Sequence, residues 1–368
     1  MISLVGGGPS GSYLAYLLAS EGKDVNVYEE HNVIGNPIQC TGLLTDAISD
    51  LVPIKKEFLV NTIKKARLFS PNGNFAEIKL RNNFVVDRHK FDSYLANMAV
   101  EKGADYFLDH KFLSCRVGNK ISVKFQTKKG VKELQTDYLV GADGPRSSIG
   151  RSVGLVTEKR KYIVALQARM NLKNLNCEKD TFESFMERRG FGWVVPENDE
   201  VARVGIATVE KNANAYFQDF LKQRCPDEKI IEYQSGIVPI YTPGMKCQKD
   251  NVFLVGDAAC QVKLSTHGGI ILGMLGAEEV KNAIINDDSY DRRWRKSIGK
   301  DLYLSWLIWK ILKRFSNENY NNLINCFKNK ELADILAEYN RDFPSQFVFK
   351  ILLKKPSLLK YAIKLLYL

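Results

Sequence analysis

Long apolar runs are what this 368-residue chain most plainly lacks. Leu302 to Leu312 comes nearest, reading Leu-Tyr-Leu-Ser-Trp-Leu-Ile-Trp-Lys-Ile-Leu. Eleven helical residues span only about 16 Å against a hydrocarbon core of about 30 Å, so the segment is too short to cross a bilayer. Histidine is scarce, four in all, and neither His-x-x-x-His nor Cys-x-x-Cys occurs. The seven cysteines (Cys40, Cys115, Cys177, Cys225, Cys247, Cys260 and Cys326) are odd in number and scattered. That pattern argues against a zinc site or a disulfide framework and leaves reduced thiols as the expectation. Repeats and low-complexity stretches are missing too. An apolar strand that starts at Met1 leaves no room for a signal or transit peptide, which predicts a cytoplasmic protein.

What is present begins at the first residues. Met1-Ile2-Ser3-Leu4-Val5 runs into Gly6-Gly7-Gly8-Pro9-Ser10-Gly11, an apolar helix follows over Tyr13 to Ala19, and Val25-Asn26-Val27-Tyr28-Glu29 closes the unit. This is a strand, a glycine turn, a helix and a second strand ending in an acid. In such a unit Gly6 permits the tight turn, Gly8 lets the backbone approach a pyrophosphate, and Gly11 lets helix pack on strand. The helix N-terminus then faces the phosphates, and Glu29 can take a ribose hydroxyl. Dinucleotide binding is therefore expected.

Further along, Arg88 to Ala99 carries a helical pattern that ends at Gly103, and a strand pair follows around Phe107 to Val117 and Ile121 to Phe125. Asp137 to Gly144 reads as a buried strand ending in Asp143-Gly144. These pieces are expected to extend the sheet of the nucleotide domain. From about Lys159 to Lys246 strands of alternating character take over, at Val164 to Met170, Trp193 to Pro196 and Ala202 to Ala207, with a helix near Ala213 to Gln223. Another buried strand and turn, Asn251 to Ala259, precedes a helix from Gly269 to Ile285, and beyond Tyr290 everything reads as helix.

The glycine turn with Glu29, the strand-end Asp143-Gly144, and Gly256-Asp257-Ala258-Ala259 resemble, in this order, the p-hydroxybenzoate hydroxylase superfamily of FAD proteins. Within it the chain is similar to the geranylgeranyl reductase family, the archaeal digeranylgeranylglycerophospholipid reductases in particular. That resemblance rests on Pro37-Ile38-Gln39-Cys40-Thr41-Gly42, on Asp87-Arg88 with Phe91-Asp92, and on Gly256 through Gly276. Gly192-Trp193 with Pro196, and Asp342-Phe343-Pro344-Ser345, add to it. The fold it implies is α/β, α+β overall: a Rossmann-type FAD-binding domain in 1–158 with a small excursion near 52–82, an inserted mixed or antiparallel substrate sheet in 159–246, a return segment in 247–290, and a basic helical region in 291–368.

Carried over position by position, the resemblance implies FAD contacts at Gly6, Gly8, Gly11, Glu29, Cys40, Thr41, Gly42, Arg88, Asp257, Gly269 and Ile270, and a backbone contact near the adenine at Phe112. In it, Asp257 accepts a hydrogen bond from the ribityl chain, and the helix opening near Gly269 turns its positive end to the flavin pyrimidine. Phe191, Trp193 and Pro196 would line a lipid pocket. The chain departs from the family where Phe191 and Val195 stand in its Tyr-x-Trp-x-Phe-Pro motif, and at Cys260, Leu264 and His267 in its glycine-rich loop.

The implied activity is an FAD-dependent reductase that saturates isoprenoid C=C bonds of archaeal ether phospholipids, with ferredoxin or NAD(P)H as electron donor. A flavin monooxygenase of the same fold, or a flavin-bearing electron-transfer or lipid-binding protein, stays open beside it. An isolated alkene offers no carbonyl for developing negative charge, so an acid is needed beside the hydride donor. Cys40, for its neighbourhood, and His267, for its near-neutral reference pKa, are the candidates. His31, His89 and His110 read as surface or structural.

The net charge of +11 lies almost wholly in the tail: Arg292 to Leu368 holds sixteen lysines and arginines against six acids. No nucleic-acid module accompanies it, so nucleic acid is not an expected partner. Leu359, Ala362, Ile363 and Leu366 fall on one helical face with Lys360 and Lys364 on another, a basic amphipathic pattern. Each clustered lysine contributes about 1 kcal/mol near an anionic lipid surface. A peripheral protein at the inner membrane face is the expectation.

Overall fold

The computed structural model describes residues 1–171, 177–226 and 228–363, with side chains up to 361. The chain divides into two compact units, each assembled from three stretches of sequence. The first takes Met1–Ile38, Arg88–Lys161 and Val238–Tyr303; the second takes Gln39–Asp87, Tyr162–Ile237 and Leu304–Leu368.

In the first unit a six-stranded sheet runs in the order Gln248–Lys249, Val252–Leu254, Tyr138–Gly141, Ile2–Val5, Val25–Tyr28, Asp105–Phe107. Only the Gln248–Lys249 edge is antiparallel. Ile2–Val5 is buried along its whole length, as a central parallel strand covered on both faces must be. The helix Pro9–Ser20 opens on a proline, whose missing N–H costs nothing there. It stops because Gly22, at φ +68°, makes a Schellman turn in which Gly22 N–H donates to Ala19 O (2.9 Å) and Lys23 N–H to Leu18 O (3.1 Å). Helices Arg88–Glu101 and Ile270–Asn286 pack against it.

The strand pair expected to extend this sheet does not join it. Only Asp105–Phe107 does; Lys111–Arg116, Ile121–Thr127 and Gly130–Thr136 form a separate antiparallel sheet. The reason is visible in the alternation: Ile121, Val123 and Phe125 point inward while Lys124 and Gln126 stay in solvent. A strand with one wet face does not belong inside a doubly covered parallel sheet. Phe125 stacks on Tyr28 at 4.4 Å between ring centroids, which seats the small sheet on the six-stranded one.

The second unit is built on an eight-stranded sheet in the order Ile230–Pro239, Tyr162–Asn171, Val201–Thr208, Gly190–Pro196, Thr181–Glu187, Leu59–Phe69, Phe75–Val86, Leu43–Thr45. The excursion near 52–82 is thus part of this sheet. Its registered pairs are antiparallel except Thr181–Glu187 with Leu59–Phe69, which run parallel. One face is apolar: Ala168, Met170, Val194, Ala202, Val204 and Ile206 pack with Phe217 and Phe220 of helix Ala213–Arg224. Gly192 makes room there, because a Cβ on it would lie 2.7 Å from the Phe220 ring. Short helices complete the unit, among them Asn317–Cys326, Lys330–Glu338, Val348–Lys354 and Leu359–Ile363.

Candidate functional site

The glycine turn of the first unit is shaped by close approaches. Gly6 sits at φ +105°, and a Cβ on it would meet Ala142 O at 2.3 Å. A Cβ on Gly11 would lie 2.0 Å from Gly6 O, so helix and strand touch backbone to backbone. Gly8 is the opposite case: nothing lies within 4 Å of its Cβ position. It is also the N-cap of Pro9–Ser20, and no side chain caps that helix. An open, uncapped helix N-terminus favours an anion, its amides and dipole turned to the side that the Gly8 Cβ position leaves open.

Glu29 closes the cradle. Its Oε2 accepts the Gly7 N–H at 2.8 Å, and its Oε1 accepts the His31 N–H at 3.0 Å and lies 2.6 Å from His31 Nδ1. His31, read from the sequence as surface or structural, is exposed and is Glu29's partner. Arg88 is held by Asp92 in a fork, Nε to Oδ1 at 3.0 Å and Nη2 to Oδ2 at 2.8 Å. Phe112 packs edge-on against Phe125 in the small sheet. His89 and His110 turn their Nδ1 atoms to carbonyls, Ile34 O at 2.8 Å and Leu108 O at 2.7 Å.

Asp143 is spent on structure, accepting the Ser147 hydroxyl at 2.7 Å and the Ile149 N–H at 3.0 Å. Asp257 is not. Burial lifts its carboxyl from 3.8 to about 6, Arg88 and Arg160 pull the other way, and no hydrogen bond to the carboxylate contributes. Gly269, the uncapped N-cap of helix Ile270–Asn286, stands beside it: a Cβ there would lie 3.0 Å from Asp257 Oδ1. A half-buried carboxylate with no protein donor among the described residues, next to a second uncapped helix N-terminus, suits a ligand that donates hydroxyl hydrogens and carries negative charge. Arg160, which no motif announced, donates to Pro145 O (3.1 Å) and Ala258 O (3.0 Å) and ties this turn to the Asp143 loop. Ser10 packs between Gly256 and Gly273, which welds the two helix N-termini together.

Two of the family departures sit in left-handed backbone, Cys260 at φ +52° and His267 at φ +57°. Burial pushes the Cys260 thiol up to about 11. It pushes the His267 imidazole down to about 4, so the ring is uncharged at neutral pH and the near-neutral pKa expected of it does not hold.

In the second unit the Cys40 segment lies on the polar face of the large sheet. Thr41 donates its hydroxyl to Gln167 Oε1 at 2.7 Å, and the same oxygen accepts the Trp193 indole N–H at 3.0 Å. Gln167 Nε2 donates in turn to Gln234 Oε1 at 2.6 Å. Arg203 Nη1 reaches Thr41 O and also Val86 O (3.0 Å), while its Nε pairs with Glu197 at 2.6 Å. The Val86 N–H donates to Gly42 O at 2.9 Å, and the Gly42 N–H meets Cys40 Sγ at 3.3 Å. Burial raises the Glu197 carboxyl, and Arg169 and Arg203 more than offset it, leaving it below its ordinary range. Gln167 and Arg203 escaped the motif reading; their signal was a polar side chain on the strand face opposite Ala168, Ala202 and Val204, a face that Arg169 shares.

Trp193 lies over Gly205, whose Cβ would sit 2.4 Å from the indole, and Phe191 stands 5.8 Å away, ring to ring. The two share a face by strand alternation. Pro196 falls on the other face, so the expected trio is split.

A parallel sheet whose first strand opens into a glycine cradle and an uncapped helix, with a half-buried carboxylate beside a second uncapped helix at a later strand end, defines a dinucleotide-binding flavoprotein. Residues 1–277 match the family model described as "FAD binding domain". The chain is 31% identical to digeranylgeranylglycerophospholipid reductase 2 of Methanothermobacter thermautotrophicus, covering 94% of this chain and 97% of that one. It is 30% identical to the digeranylgeranylglycerophospholipid reductase of Methanocaldococcus jannaschii, covering 98% and 96%. Among solved structures, a geranylgeranyl bacteriochlorophyll reductase-like protein of Thermoplasma acidophilum superposes with a TM-score of 0.82 at 24% identity, over 98% of each chain. A flavin-dependent halogenase, CmlS, shares the fold at a TM-score of 0.72 and 15% identity, over 98% of this chain and 78% of that one. The chain belongs to the FAD-binding-domain family and, within it, to the digeranylgeranylglycerophospholipid reductases. Its cofactor is FAD.

Proposed function

We propose that the chain is an FAD-dependent reductase that saturates the C=C bonds of geranylgeranyl chains in archaeal ether phospholipids. The observation that carries this reading is likeness to digeranylgeranylglycerophospholipid reductases over nearly the whole chain. Bound FAD, once reduced, supplies the hydride. Everything else falls to the chain's own residues. Gly6, Gly8, Gly11 and the N-terminus of Pro9–Ser20 receive the pyrophosphate, and Glu29, fixed by Gly7 and His31, takes a ribose hydroxyl. Asp257 accepts a hydrogen bond from a hydroxyl of the cofactor chain, a donor that none of the described residues supplies. Gly269 and Ile270 open the helix whose positive end favours negative charge on the ring system. Arg88 and Phe112 stay assigned to the cofactor, the first through its charge and the second through its backbone.

Cys40, Thr41 and Gly42 form the segment assigned to the reacting end. Cys40 is the proposed proton-handling group, at Sγ; the segment's anchors through Gln167 and Arg203 suit a thiol that must be held in one place. His267, uncharged above about pH 4, suits packing better than proton donation. Phe191 and Trp193 supply an apolar wall for isoprenoid chains. An external donor, ferredoxin or NAD(P)H, returns electrons to the flavin. No helix among the described residues is long and apolar enough to cross a membrane. The basic tail is assigned to an anionic lipid surface, which gives a peripheral protein on the cytoplasmic face. Purified protein, reduced by dithionite without oxygen and incubated with a digeranylgeranyl lipid, should raise the lipid's mass by about 2 Da per alkene. Unchanged mass without air together with hydroxylation on admitting air would replace this reading by a monooxygenase.

A further inference from the structure

The last helices of the second unit present an arrangement that the flavin chemistry does not use. In Val348–Lys354, Ile351 is buried, and this turns Phe349 and Leu353 outward on one face, 59% and 80% exposed. Leu353 is more exposed than any other large hydrophobic residue described. A few residues on, Leu358 and Tyr361 pack inward with Phe315 and Tyr320, leaving Leu359 outward at 44% exposure with Lys360 beside it. Lys350 and Lys354 flank the Phe349 and Leu353 pair one position along the helix, and Lys355 follows. Lys354 pairs with Glu331 at 3.3 Å, whereas Lys350 donates only to the neutral Tyr339 hydroxyl, so Lys350, Lys355 and Lys360 carry charge that no ion pair among the described residues answers. From Phe343 to Leu368 the sequence has five lysines and no acidic residue.

We propose that Phe349, Leu353 and Leu359, framed by Lys350, Lys355 and Lys360, dock on an anionic lipid surface, the apolar side chains inserting and the lysines meeting headgroups. This rests on the basic-tail assignment above and gives it a place: the docking element begins upstream of the pattern over Leu359 to Leu366 and takes in only its first two residues, the rest falling largely outside the described side chains. Charge decides between occupants. A second copy meeting this face about a two-fold axis would set lysine against lysine. Three isolated side chains are also far short of the about 800 Å² per partner of a stable protein interface. A lipid surface needs only shallow insertion of a few apolar groups among cations, and it supplies the opposite charge.

The test is sedimentation of the FAD-loaded protein with vesicles of phosphatidylglycerol or of phosphatidylcholine alone. Wild type should partition onto the anionic vesicles at least about tenfold better, with the gap shrinking in high salt. Phe349→Asp with Leu353→Asp should lower that partition about tenfold or more, and Lys355→Glu with Lys360→Glu should remove the preference for anionic lipid. An unchanged flavin spectrum and melting temperature would show that the variants fold, and binding is read without turnover, so failure of the reductase reading leaves this result intact. Equal binding by wild type and the Asp variant overturns the proposal. So does loss of binding only on deleting residues 364–368, or a wild-type dimer that the Asp variant dissociates.

Discussion

Thr41 and Trp193 meet on one atom: the Thr41 hydroxyl (2.7 Å) and the Trp193 indole (3.0 Å) both donate to Gln167 Oε1. That oxygen joins the Cys40 segment to the strand bearing the aromatic wall, and both belong to the same unit.

Gln167→Leu would leave the Thr41 hydroxyl, the buried Trp193 N–H and Gln234 Oε1 without their partner. Each unsatisfied buried group costs about 1–3 kcal/mol, and water reaching Thr41 would soften the total. A loss of about 3 kcal/mol in urea unfolding is expected, with Gln167→Glu less damaging because it keeps the acceptor. Trp193 fluorescence reports the local change. A variant as stable as wild type would show that the shared acceptor is not a support.

Arg203 makes a second support for the same segment, through Thr41 O and Val86 O, with Glu197 fixing its other side. Arg203→Met removes those bonds and leaves Glu197 to Arg169 alone. Breaking one side of a buried pair costs about 3–5 kcal/mol. Beyond stability, Cys40 should alkylate faster by mass-mapped labelling, while Arg203→Lys, which keeps the charge but loses the fork, should fall between. Equal Cys40 labelling in all three proteins would rule out a positioning role.

Much of this was legible in the sequence because it depends on short-range rules. The glycine turn, Glu29 and the helix Ile270–Asn286, expected over Gly269 to Ile285, follow from local backbone demands that hold wherever such a unit folds. Long-range pairing was not legible. The excursion near 52–82 joined the large sheet through a parallel pair with Thr181–Glu187, and the strands after Lys111 left the nucleotide sheet. Neither follows from periodicity, which fixes the faces of a strand but not its neighbours. The fit of Phe191 and Trp193 without Pro196 could have been read from alternation, since a period of two separates 193 from 196. The couplings through Gln167, Arg203 and Arg160 join residues far apart in the chain, and each polar side chain acquires its meaning only from its partner.

The glycine turn offers a test that separates folding from binding. Gly11→Ala places a Cβ 2.0 Å from Gly6 O and should yield little folded protein. At Gly8 a Cβ meets no atom within 4 Å beyond its chain neighbours but stands before the helix N-terminus. Gly8→Val should therefore fold with an unchanged circular dichroism spectrum and bind FAD at least about tenfold more weakly by fluorescence titration. Full FAD occupancy in Gly8→Val would move the pyrophosphate away from this turn.

The two half-buried titratable groups near the loop after Val255, each desolvated at its ionising atoms, should oppose each other in the FAD-free protein. Asp257, raised from 3.8 to about 6, contributes stability that is fully present below about pH 4 and lost as pH rises through about 6. His267, lowered from 6.5 to about 4, contributes stability that is present above about pH 6.5 and lost as pH falls through about 4. Between these limits the slopes have opposite sign and largely cancel. Asp257→Asn should uncover the histidine, so that relative to wild type its stability falls on acidification. His267→Gly, which also relieves the left-handed backbone at φ +57°, should uncover the aspartate and become relatively more stable as the pH drops. Each difference from wild type should span up to about 3 kcal/mol between about pH 4 and pH 7 in urea unfolding, and other titrating groups cancel in the comparison. Differences that do not vary with pH would mean that neither group is desolvated in the folded chain. Adding FAD to wild type should steepen the retained stability at neutral pH, because a hydroxyl donor to ionised Asp257 removes the cost of its burial, and Asp257→Asn should lose that gain.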